Sequence, residues 1–258
     1  MSNQTDARRI VRQNLQMEQL LGVKEVPLSR EDLAAARPAL GSGRTEVRGS
    51  GATADASGDG DSAEQLRVLD EQEVRVCRKC GLSKTRTNTV FGQGHPNARL
   101  VFVGEAPGSE EDRQGLAFVG RAGQLLTRIV AAMGLTRDEV FICNVLKCRP
   151  PNNRDPAAEE IVACNPHLMR QLEIIRPEVI VALGAPAART LLQTKESIGR
   201  LRGQFHDFYV DGPMSGAEPI PLMPTYHPAY LLRSPQYKAK AWADLQQVMA
   251  RLGLERPG

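Results

Sequence analysis

The chain has 258 residues, 41% hydrophobic and 24% charged, the make-up of an ordinary globular protein long enough to bury a substantial core. No run of about 18 apolar residues occurs, which excludes a membrane-spanning helix, and the polar stretch Met1–Arg12 lacks an apolar signal-peptide core, so a cytosolic location is expected. The net charge of +3 is too small to name a partner, but residues 1–65 carry 8 Lys+Arg against 10 Asp+Glu and the remainder 25 against 20. That modestly basic body fits a nucleic-acid partner, as it fits many proteins that have none.

Thr5 to Leu21 reads as a short helix with Thr5 or Asp6 as N-cap and Gly22 as its stop. Residues 37–63, rich in Gly, Ser, Ala and Asp, read as a flexible linker. A second helix, about 62–76, leads into Cys77. The body then alternates strands with helices. Leu100–Val103 is a short continuous apolar run, as expected of a strand buried on both faces. Gly123 to Met133 is helical, and Gly134 ends it. Val140–Val145 is a second strand, and Asp155-Pro156 is expected to cap a long helix reaching Ile175. Val179–Leu183 is a third strand, followed by Gly184 and a helix to about Leu192. Ile220-Pro221-Leu222-Met223-Pro224, leading through Thr225-Tyr226 to His227, is a fourth strand, expected at or near a sheet end because of its prolines. A final helix runs from about Pro235 to Leu252. This alternation predicts a parallel sheet covered on both faces.

Polar and glycine-rich segments recur just after the strands: Gly104-Glu105-Ala106-Pro107-Gly108, Asn144, Gly184 and His227-Pro228. In an open parallel sheet these ends share one edge, where ligands bind, so the four segments are expected to form one pocket. The Gly104–Gly108 segment is no phosphate loop, since it lacks both the Walker lysine and the Rossmann spacing. It reads equally well as a tight turn. Phe118 suits stacking on a flat ligand or a place in the core. A single histidine such as His227 is more often structural than catalytic.

Four of the five cysteines form two pairs: Cys77 and Cys80, and Cys148 and Cys164, with Cys143 inside a strand as a small buried residue. Two close pairs from distant segments of a chain in a reducing cytosol suggest a four-thiolate metal or iron–sulfur site. A dithiol redox function of Cys77 and Cys80 is the competing reading. Against it, the pair precedes the α/β core instead of opening a helix after its first strand.

Taken together, these segments resemble the uracil-DNA glycosylase superfamily, specifically its iron–sulfur group, family 4. The resemblance lies in Val101–Gly108, Gly115–Leu126 (Gly-Leu-Ala-Phe-Val-Gly-Arg-Ala-Gly-Gln-Leu-Leu), Asn144–Arg154 and His227–Leu232, and it covers roughly residues 66–252. It implies a three-layer α/β/α sandwich around a central four-stranded parallel sheet. The chain then divides into a helical extension over 1–36, the linker over 37–63 and a glycosylase domain over 64–258. It also implies a [4Fe–4S] cluster on Cys77, Cys80, Cys148 and Cys164, and hydrolysis of the bond between uracil and deoxyribose in single- or double-stranded DNA.

On this resemblance Phe118 stacks on the base and Asn144 reads its O4 and N3–H with one amide. His227 donates a hydrogen bond to the leaving O2. Gly104, Ala106 and Gly108 line the base and a water. Glu105 stabilises the sugar cation or orients the water. Leu231 fills the gap left by the flipped base, and Arg233 and Lys238 contact phosphate. Ala106, and the absence of a basic insertion after Cys148, favour turnover over the covalent trapping known among some relatives. A cytoplasmic, nucleoid-associated monomer is expected, with no membrane partner. The N-terminal extension is left for a repair or replication protein. The alternative function is a non-catalytic nucleic-acid-binding or polymerase-associated module with a structural metal cluster.

Overall fold

The computed structural model describes residues 58–210, 212 and 217–255. The expected N-terminal helix at Thr5–Leu21 lies outside them. Helix α1, Gly58–Leu69, continues through a π-helical turn, Asp70–Val74. It starts earlier than the linker reading allowed, so residues 58–63 belong to a helix. Beyond Cys77 and Cys80 come a 3-10 turn, Gly81–Lys84, and a two-residue strand β1, Gln93–Gly94.

Four apolar strands form the centre. They are β2 (Leu100–Gly104), β3 (Phe141–Asn144), β4 (Val179–Leu183) and β6 (Ile220–Thr225). A short strand β5, His206–Phe208, precedes β6. The sheet order is β1-β3-β2-β4-β6-β5. The central four strands are parallel, as the sequence predicts, and β1 and β5 add antiparallel edges. The strand with two prolines is therefore second from the edge, its outer side covered by β5 from His206↔Leu222 to Phe208↔Ile220.

Helices α2 (Ser109–Gln114) and α3 (Arg121–Ala132) connect β2 to β3, and α4 (Ala158–Ile175) connects β3 to β4. After β4 come α5, Ala185–Leu192, and α6, Ile198–Leu201. Following β6 come α7, Pro228–Arg233, and α8, Lys238–Leu252. Strand side chains alternate between two cores, as a period of two requires. Val101, Val103, Ile180 and Leu222 pack with Leu168, Leu172 and Leu191 on one face. Leu100, Phe102, Ile142 and Val181 pack with Leu126, Val130 and Val248 on the other. The result is the expected α/β/α sandwich.

The long helix α4 starts at Ala158 with Ala157 as its cap, not at Asp155-Pro156. Glu160 causes the shift: its carboxylate accepts from Ala157 N at 2.8 Å and from both terminal nitrogens of Arg154. Asp155 is left outside the helix. No helix of the described residues is long and apolar enough to cross a membrane.

Candidate functional site

Successive parallel strands lie on opposite sides of β2, β3 to one side and β4 to the other, so the segments leaving their carboxyl ends part there and open a crevice. A cleft of about 670 Å³ occupies this place. Its walls include Glu105, Phe118, Asn144, Gly184 and His227, one residue at least from every segment that the sequence placed there. Backbone bonds join the segments in pairs. Val145 N donates to Gly104 O at 2.9 Å, Leu146 N to Glu105 O at 3.0 Å, and Gly184 N to Thr225 O at 2.8 Å.

Asn144 ends β3 and is 1% exposed, and its Oδ1 has no hydrogen-bond partner. Buried acceptors are seldom left in that state, and one aimed into a cleft calls for a ligand donor. Gly104 lies beside it in register. A Cβ on Gly104 would overlap Asn144 Oδ1 and come within 2.5 Å of Phe118 Cζ, so only glycine lets the two side chains share this floor.

Phe118 is buried with φ of 52°, a left-handed conformation unfavourable for an aromatic residue. Two residues that the sequence reading did not single out hold it there. Glu111 Oε1 accepts from Val119 N at 3.0 Å and Gly120 N at 2.9 Å. Arg137 donates to Ala117 O at 2.8 Å and to Phe118 O at 3.2 Å. The Phe118 ring centroid lies 5.7 Å from that of His227, inclined at 36°.

His227 caps α7. Its Nδ1 accepts from Ala229 N at 3.1 Å, so the ring proton of the neutral form sits on Nε2, which has no partner among the described residues. Burial, and then the charge of Arg233, lower its pKa from 6.5 to about 4. It is a neutral donor at physiological pH. Glu105, at another part of the wall, has a raised pKa, first through burial and then through the carboxylate of Asp155. Asp155 also lines the cleft. Its position after Arg154 and before a proline resembles a helix cap in sequence, which hid it.

Ala106 and Gly108 line the cleft with Glu105. Arg233 is exposed at its rim, and Lys238 is exposed beyond it. Leu231 requires a correction. It is 1% exposed and packs with Leu125 and Ala241, so it is a core side chain and does not stand at the mouth as a wedge.

A second cavity is lined by Cys77, Cys80, Cys148 and Cys164, together with Arg86, Lys147 and His167. All five cysteines are free. Among the described residues no group of three or more His, Cys, Asp or Glu side chains is arranged to hold a metal ion. Arg86 Nη1 donates to Cys148 Sγ at 3.1 Å, and Lys147 N donates to Cys164 Sγ at 3.2 Å. Burial raises the thiol pKa values of Cys80, Cys148 and Cys164, the last to about 12. Lys147 is itself buried, its Nζ donating to Asn144 O at 2.7 Å and to Gln171 Oε1 at 2.5 Å. One residue thus braces the thiol cavity against the cleft. The only sequence signal for it is a lysine within the apolar run Val145–Cys148.

Residues 91–246 match the Uracil DNA glycosylase superfamily. A Type-4 uracil-DNA glycosylase of Saccharolobus solfataricus is 46% identical over 185 residues, 70% of this chain and 83% of its own. The Type-4 enzyme of Thermotoga maritima is 48% identical over 172 residues, 66% of this chain and 85% of its own. That of Archaeoglobus fulgidus is 44% identical over 198 residues, 74% and 97% respectively.

Proposed function

The chain belongs to the uracil-DNA glycosylase superfamily, alongside its type-4 members, and on that premise we propose a mechanism by which its cleft releases uracil from DNA. It is a DNA-repair glycosylase that hydrolyses the N-glycosidic bond of deoxyuridine and leaves an abasic site. The unpartnered Oδ1 of Asn144 carries the reading of the site. Uracil offers an N3–H donor beside the O4 acceptor, and one amide answers both. Cytosine offers the opposite pair along that edge, so an amide of fixed orientation rejects it.

The target base must first leave the stack, at a cost of a few kcal/mol. Phe118 then stacks on its ring, and negative charge collects on O2 as the bond to the sugar breaks. His227 Nε2–H points its hydrogen bond at that charge. A neutral imidazole with so low a pKa supplies a hydrogen bond and not a proton, and such a donor counts most where charge develops. Glu105 stands in the wall to stabilise the sugar cation or orient the attacking water, and burial makes it a stronger base than an exposed carboxylate. Amides of the Gly104–Gly108 turn support base and water, and Arg233 meets phosphate at the rim. The substrate is uracil-containing DNA, and the chain is taken to act on it as a monomer.

The thiol cavity fits a [4Fe–4S] cluster on Cys77, Cys80, Cys148 and Cys164. Its four cysteines line one cavity together, and a cage of this kind takes one thiolate per iron. When bound, the cluster supplies a cross-link between the segment before the core and the segment after Asn144, and no bond-making chemistry. Its ligands would shed their protons on binding.

The reading is tested with purified protein and oligonucleotides that differ only in uracil or cytosine at one position. Free uracil and an alkali-labile abasic site are expected from the first alone. Binding without release of base supports the non-catalytic alternative and refutes this one.

A further inference from the structure

The thiol cavity contains a donor that no described residue receives. His167 lies in α4, about one turn beyond Cys164, and is 1% exposed. Both of its ring nitrogens are buried without a hydrogen-bond partner. The Glu73 carboxylate stands 3.7 Å from Nδ1, beyond hydrogen-bond range. A neutral imidazole always retains one N–H to give, and a native interior rarely leaves it unmet. The residue also lines the cavity of the four cysteines. Two of those sulfurs already take N–H bonds, Cys148 from Arg86 and Cys164 from the Lys147 amide. His167 is a third donor in the same wall, and it has no acceptor among the described residues.

We propose that His167 donates its ring N–H to a sulfur of the iron–sulfur cluster and thereby raises the cluster's reduction potential. The inference rests on the cluster reading given above. Hydrogen bonds to cluster sulfurs are one of the levers that set potential, because they stabilise the electron-rich reduced state more than the oxidised one. The acceptor is a soft, electron-rich sulfur, which suits a ring whose nitrogens find no hydrogen-bonding oxygen among the described residues. Serving Glu73 instead, or ligating iron directly, are the competing roles for the same nitrogens.

The experiment uses the full chain, purified without oxygen, in wild-type, His167→Phe, His167→Leu and His167→Gln forms. Iron per chain is counted, and the one-electron potential is read by spectroelectrochemical titration. Both apolar variants should keep the iron and shift to a more negative potential. The glutamine variant, which retains an N–H donor, should lie nearer the wild type. An unshifted potential in either folded apolar variant overturns the proposal and leaves the cluster reading intact. Loss of iron in the apolar variants makes His167 a ligand and overturns it as well. A wild-type protein that takes up no iron overturns the cluster reading itself.

Discussion

Replacing Gly104 with alanine adds one methyl group at the point where the base-reading amide and the stacking ring meet. The backbone there is not left-handed, so alanine brings no conformational strain and the effect is steric. The new carbon would overlap Asn144 Oδ1 and stand 2.5 Å from Phe118 Cζ, against 3.4–4 Å for ordinary contact. Relief requires one or both to retreat by about 1 Å, and a misplacement of that size at a reacting group costs about 10²-fold in rate. Overpacking of this kind costs about 1–3 kcal/mol, and each kcal/mol lowers Tm by about 2–4 °C in a domain of this size. Two assays separate these effects: kcat/KM for uracil release from a single-stranded oligonucleotide, and calorimetric Tm. Gly60→Ala, where nothing lies within 4 Å of the added carbon, is the control. A folded Gly104→Ala protein that releases uracil within twofold of the wild-type rate would refute the shared floor of Asn144 and Phe118.

Removing the His227 ring with alanine should slow release by about 10²- to 10³-fold, the cost of one oxyanion donor, while binding of uracil-containing DNA changes far less; a rate unchanged under single-turnover conditions removes it from the reaction. The pH profile follows from the two perturbed groups. His227, held at about 4, stays a neutral donor through 6.5, whereas the raised pKa of Glu105 places loss of its carboxylate above its ordinary 4.5 as pH falls. The acid limb should therefore lie above 4.5 and move down towards 4 in Glu105→Gln. A limb at 6.5 that ignores this substitution contradicts both assignments. Leu231→Ala should cost about 2–5 kcal/mol of stability, as for any fully buried leucine, and should affect single- and double-stranded substrates equally when rates are corrected for folded protein. A loss confined to duplex DNA would restore its wedge role.

The central strands were legible because Leu100–Val103 and Val179–Leu183 are continuous apolar runs, and burial on both faces demands that pattern. Strands β1 and β5 have two and three residues, too few for any periodicity. The cleft could be anticipated because four of the segments that form it directly follow strands. Its supports could not. Glu111 and Arg137 act on backbone groups 8 to 20 residues away, and Lys147 on a backbone carbonyl and a distant glutamine. Such contacts leave no spacing in the sequence. The errors have equally local causes. Asp155-Pro156 has the chemistry of a helix start, but Glu160 reaches back to cap the helix at Ala157. Leu231 sits in a segment whose neighbours Ala229, Tyr230 and Arg233 line the cleft, yet the helical turn of α7 sends its side chain into the core.

The most direct test of the account is base selectivity in Asn144→Asp, measured as free uracil and free cytosine released from oligonucleotides that differ only at that base. Asparagine presents a donor to O4 and an acceptor to N3–H; an ionised aspartate loses the donor, and a protonated one, whose proton can sit on either oxygen, can match the cytosine edge as well as the uracil edge. The expected result is a large fall in uracil release, with cytosine release gained or the preference for uracil lost. Uracil release at the wild-type rate and with intact discrimination would contradict the account, because the unpartnered amide at the end of β3 would then not be the group that reads the base.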